Sequence, residues 1–141
     1  MYTGKTVFAQ LMMFMPDYGF QKCVDHYKGD YRVRNFSCRD HFLVMSFAQL
    51  TGRESLRDIE NCLTAFFNKL YHSGIKQPIS KSTLADANEK RDWRIYADFA
   101  QVLIKKARPL YFSDKEFRLE LDNMVYVFDS TTIDLCLSLY P

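Results

Sequence analysis

Asp129 is the carboxylate in this sequence best placed to do chemistry. It ends a β-branched and aromatic run, Val125 to Phe128, and enters a Ser130-Thr131-Thr132 turn, with a second apolar run, Ile133 to Leu139, beyond it. A carboxylate at the exposed end of a strand is how many metal-dependent phosphoryl-transfer sites begin. Ser130 and Thr131 suit equally well an Asx-type turn that satisfies the carboxylate without a metal. A metal needs further carboxylates. Asp134 lies in an apolar stretch and reads as a solvent-facing position on the next strand. The expectation is therefore the front part of an enzyme. His26, His41 and His72 are scattered singly, and no nucleophile–base pair supports a hydrolase triad.

A second chemistry is contact with phosphate. Arg32, Arg34 and Arg39, with Tyr31 and Phe36 interleaved, suit a clamp on a phosphate backbone, although a solvated basic connector has the same pattern. Further on, Ser82, Thr83, Asp86, Asn88 and Arg91 gather in the polar front of a helix. These are the types that read DNA: hydroxyls for phosphate, Asn for adenine, Arg for guanine or phosphate. Any α-hairpin with a solvated face also looks like this.

The elements that must position these residues are mostly helical. Thr6 to Phe14 reads as a short amphipathic helix ended by Pro16. Asp17 is suited to cap a second one, which carries Phe20, Val24 and Tyr27 and stops at Gly29. Residues 29–39 read as an extended connector that puts Arg32 and Arg34 on the same side if it is a strand. Ser37 then caps a helix from Cys38 to about Leu50, so apolar all round that it should lie at the centre.

Thr51 and Glu54 have capping-box spacing for the next helix, whose apolar stripe is Leu56, Ile59, Leu63, Phe66, Phe67 and Leu70. Gly74 suits its C-terminal end. Ser80 or Ser82 caps a further helix with a core stripe of Trp93, Tyr96, Phe99, Ala100, Leu103 and Ala107, closed by Pro109. The pair of helices flanking residues 71–80 has the layout of a helix-turn-helix with a long turn. Only after residue 110 does the period settle to two. The predicted order is an all-α domain over 1–110, then a connector and first strands over 111–141.

Composition narrows the classes. The chain has 141 residues, 48% hydrophobic, with 12 Phe, 9 Tyr and few Gly or Pro, which excludes a disordered chain and suits a packed domain. Net charge is +2, but residues 1–81 carry 11 Lys/Arg against 7 Asp/Glu, and residues 82–141 carry 8 against 10. The basic excess lies in the front part, on the side of polyanion contact. Cys23, Cys38, Cys62 and Cys136 form no CxxC pair and no metal-ligand cluster, and read as reduced, mostly buried thiols. No run approaches a membrane span, and the apolar N-terminus is interrupted by Gln10 and lacks a small-residue cleavage site. The expectation is a cytoplasmic protein with no membrane partner and no small-molecule substrate.

Five ordered blocks, GDYRVRNFSCRDHF, FAQLTGRESLRDIENCL, KLYHSGI, STLADANEKRDWRIYADFAQVLI and YVFDSTTIDLCLSLYP, closely resemble the front of bacterial DDE transposases of the insertion sequence 4 family. The similarity runs from about Lys5 to Pro141. It implies a helical domain that binds the element's terminal repeats as double-stranded DNA, then the first β-hairpin of an incomplete ribonuclease-H-like α/β domain, in a nucleoid-associated protein. It also implies that Asp129 is the first residue of the Asp-Asp-Glu triad that holds two Mg²⁺ ions for strand cleavage and transfer. The second Asp and the Glu belong downstream of Pro141, so this chain alone is expected to be inactive. The DNA contacts expected are Arg32, Arg34, Ser82, Thr83, Asn88 and Arg91. The alternative is a self-association module: a homodimer built on the polar face of 82–94, regulating a full-length transposase.

Overall fold

The computed structural model describes residues 6–112. The expected strands, the Asp129 turn, Asp134 and Cys136 lie outside the described residues. Among the described residues six α-helices follow one another: α1 Val7–Met12, α2 Asp17–His26, α3 Cys38–Leu50, α4 Leu56–Leu70, α5 Lys81–Lys90 and α6 Arg94–Phe112, with a 3₁₀ turn at Tyr71–Ser73 after α4. The protein is mainly helical, and no strand occurs among the described residues.

Side-chain caps start the helices where local chemistry dictates. Thr6 accepts from the Ala9 N–H, Ser37 forms a reciprocal capping box with Asp40, Ser55 accepts from the Asp58 N–H, and Ser80 from the Thr83 N–H. Two caps differ from expectation. Pro16 occupies the N-cap of α2, and Asp17 makes no capping bond but accepts from Arg39 Nε at 3.1 Å. Thr51 ends α3 instead of starting α4: its hydroxyl donates to the Phe47 carbonyl, and Gly52 at φ +64° lets Arg53 N–H reach back to the Ala48 carbonyl.

α3 lies between two apolar clusters. Leu43, Val44, Phe47 and Ala48 face one, shared with Phe8, α4 and Leu84 and Ala87 of α5. Cys38 and Phe42 face the other, shared with α2 and α6. There Phe20, Phe42 and Phe99 meet pairwise, with centroids 4.9–5.3 Å apart. That double burial is why α3 lacks a polar face.

The α4 stripe holds at Ile59, Leu63 and Leu70 and departs from expectation at Phe66. Ile59, Cys62, Leu63 and Leu70 are buried, whereas Phe66 is 46% exposed. The expected single helix from about residue 80 to 107 is two. The chain leaves helical geometry at Arg91, so Ile95 and Phe99 point into the core and Trp93 is 73% exposed. Pro109 does not close α6 but sits in its last turn, where its missing N–H removes only one ladder bond. α6 therefore runs across residue 110, where the domain boundary was expected. Cys23, Cys38 and Cys62 are free and buried.

Candidate nucleic-acid interface

The segment linking α2 to α3 is a tight loop and not the extended connector its sequence suggests. α2 ends with Gly29 N–H bonded to the Val24 carbonyl (2.9 Å) and Lys28 N–H to Asp25 (3.1 Å). In such a cap the left-handed residue is usually glycine. Here it is Lys28, at φ +52°, and Gly29 follows it. The reason is space. A Cβ on Gly29 would lie 2.4 Å from Ile95 Cδ1 and 2.8 Å from Cys38 Sγ, so glycine is required one position late, where loop and core touch. Arg32 is also left-handed, at φ +61°.

The loop is tied down at three points. Asp30 Oδ1 accepts the Cys38 N–H at 2.6 Å, Gln77 Nε2 donates to the Asn35 carbonyl at 3.0 Å, and Arg91 Nη2 donates to the Phe36 carbonyl. What remains outside is Lys28, Tyr31, Arg32, Val33 and Arg34, all exposed. The Arg32 guanidinium lies 5.1 Å from the centre of the Tyr31 ring.

Arg34 stands between two clefts. One, about 450 Å³, is bordered by Arg34, Ser37, Arg39 and Lys76. The other, about 540 Å³, lies between the loop and α5 and is bordered by Lys28, Arg34, Thr83, Asp86 and Lys90. Lys90 pairs with Asp86 at 3.4 Å. Lys28, Arg32, Arg34 and Lys76 form no ion pair among the described residues. Two motifs that are fifty residues apart in sequence thus share a cleft through Arg34 and Thr83.

The other expected contacts are placed differently. Arg32 is exposed at the loop tip, away from both clefts. Ser82 is exposed, with its hydroxyl 3.0 Å from that of Ser80. Arg91 is turned inward: its side chain is only 9% exposed, its guanidinium lies 5.2 Å from the Phe36 ring centre, and Nη1 is 4.0 Å from Asp30 with no hydrogen bond. Asn88 Oδ1 lies 2.7 Å from His41 Nε2, and His41 Nδ1 lies 2.7 Å from the Tyr96 hydroxyl. An amide oxygen can only accept, so Nε2 carries the proton and Nδ1 accepts from Tyr96.

Burial holds the His41 imidazole below its ordinary value, Arg91 adds to this, and the Asn88 bond opposes it. Burial also pushes the Tyr96 hydroxyl well above the usual phenol range and the Cys38 thiol up to about 11. The network joins α3, α5 and α6 and keeps His41, 5% exposed, neutral and satisfied.

Residues 3–76 match the model of a protein family described as a domain of unknown function, DUF4372. The chain belongs to that family. No curated protein and no solved structure matches it. The DUF4372 match takes in α1 to α4, the whole loop and the border of the smaller cleft up to Lys76. α5, with Thr83 and Lys90, the Arg91 that follows it, and α6 lie past it.

Lys28, Lys76 and Lys90 border the clefts and were not singled out by sequence; the only signal, for Lys28 and Lys76, was membership of the basic front part, and Lys90 lies past it. Asp129 lies outside the described residues. Among those residues no group of three or more His, Cys, Asp or Glu could hold a metal, and no helix is long and apolar enough to cross a membrane.

Proposed function

We propose that this chain is the N-terminal, DNA-binding part of a cut-and-paste transposase. The observation that carries the reading is the cleft where Arg34 and Lys28 of the loop face Thr83 and Lys90 of α5. Two cations without acidic partners, a hydroxyl and a concave surface suit a phosphate backbone better than a neutral small molecule. The block resemblance to insertion sequence 4 transposases supplies the identity of the DNA: the element's double-stranded terminal repeats. Of the expected contacts, Arg34, Thr83, Arg32 and Ser82 remain in the proposal. Arg91 and Asn88 leave it, because their polar atoms serve Phe36 and His41.

On the same reading, residues 111–141 open a ribonuclease-H-like catalytic domain with the first β-hairpin. Asp129 is then the first carboxylate for the two Mg²⁺ ions of the complete enzyme, and the protein works in the cytoplasm at the nucleoid. The 141-residue chain alone binds DNA and cuts none. Fluorescence anisotropy with duplex DNA over 50–300 mM salt tests this. A linear fall of log K with log salt is expected, and R34A should reduce the slope by about one phosphate contact. Binding that ignores salt, or a folded protein that binds no DNA, refutes it.

A second reading is self-association in which the chain regulates a full-length relative. Val7, Leu11 and Phe14 are exposed at i, i+4 and i+7 (75%, 47% and 74%), an apolar stripe that a second copy would cover. Sedimentation as a pure monomer across the micromolar range removes this reading.

A further inference from the structure

The loop tip holds an aromatic ring in an unusual way. Tyr31 is 68% exposed, yet the backbone under it is firmly set. A non-glycine residue on either side, Lys28 and Arg32, is left-handed, a geometry that persists only where the surroundings enforce it. The Asp30, Asn35 and Phe36 ties supply that enforcement. A tyrosine with no packing role is thus presented on a rigid support between basic side chains.

One face of the ring lies against the Arg32 guanidinium, which leaves a single face open. An intercalator between two base pairs needs both. A ring with one free face suits the end of a stack. Positive charge surrounds it: Lys28, Arg32 and Arg34 lie within seven residues and Lys76 borders the smaller cleft, none of them ion-paired among the described residues, while Asp86 of the larger cleft is held by Lys90. That charge selects a polyanionic partner.

We infer that Tyr31 stacks on an unpaired nucleobase, and that the loop from Lys28 to Arg34 holds a single-stranded DNA segment whose phosphates run into the clefts beside Arg34. This rests on the DNA-binding reading above and adds a preference to it. DNA with a single-stranded overhang binds better than blunt duplex, and the difference resides in Tyr31.

The test uses the 141-residue chain, a blunt duplex, and the same duplex with a six-nucleotide overhang. Wild type should bind the overhang DNA more tightly by about 5- to 100-fold, the usual worth of one stacked base. Y31A should lose that gain, so that its affinities for the overhang and the blunt DNA become equal. Y31F, which keeps the ring, should retain it. Circular dichroism checks that the exposed substitution leaves the helices intact. Equal affinity of wild type for the two DNAs overturns the inference while duplex binding stands. So does a Y31A loss of equal size on both. Failure of the wild type to bind any DNA overturns the underlying reading instead.

Discussion

Arg91→Ala separates what the sequence suggests for this residue from what the structure assigns to it. The guanidinium donates from Nη2 to the Phe36 carbonyl and lies over the Phe36 ring. Losing a charge-assisted bond and leaving a buried carbonyl unmet costs about 1.5–3 kcal/mol. The ring contact adds about 0.5–2 kcal/mol. The Asp30 pair, at 4.0 Å with its carboxylate 35% exposed, adds only a few tenths after solvent screening, on the order of the surface-pair value. Removing Nη1, which has no acceptor, returns part of this. The net is a loss of about 3 kcal/mol, a large share of the stability of a small domain. Arg91→Lys keeps the charge without the planar fork and should lose about half as much. Urea unfolding followed by far-UV circular dichroism at pH 7 measures both. R91A should lower the midpoint clearly, and below the transition should keep the salt slope of DNA binding. If R91A unfolds within about 0.5 kcal/mol of wild type but binds DNA with a shallower slope, the inward placement is wrong and Arg91 is a phosphate contact.

The His41 network predicts a pH effect of definite sign. Burial lowers the folded-state value of His41 below 6.5, so the unfolded chain takes up the proton first. The His41 contribution is complete above pH 6.5 and is lost as pH falls through the folded value. The urea midpoint of wild type should therefore drop between pH 7 and 5 more than that of H41Q. At the loop, Gly29→Ala forces a Cβ against Ile95 and Cys38, both fully buried. It should cost about 1–3 kcal/mol as an overpacked core position, seen as a fall in thermal midpoint.

Much of the helical framework was legible locally. Thr6, Ser37 and Ser80 cap where a short polar side chain precedes an apolar period, because the donor and acceptor are three residues apart. The central place of α3 followed from its apolar surface. Where two local signals competed, the sequence chose less well. Thr51 with Glu54 suits the start of α4, but Gly52 at φ +64° lets Thr51 finish α3, and Ser55 caps α4. In α4 the apolar stripe follows the period except at Phe66, which stays exposed while Cys62 joins the buried face against residues of α3 and α5. The break at Arg91 was hidden, since STLADANEKRDWR has no Gly or Pro to mark it.

The sequence alone determined a helical chain with a basic front, and named residue types suited to DNA. It could not say which of them face outward. Asn88 and Arg91 resemble Thr83 and Arg34 in type, and their fates differ because of partners 47 and 55 residues away, His41 and Phe36. Caps and stripes are short-range and are written in neighbouring letters. Whether an arginine meets solvent or a buried carbonyl depends on desolvation by distant segments, and only the packed chain brings those segments together.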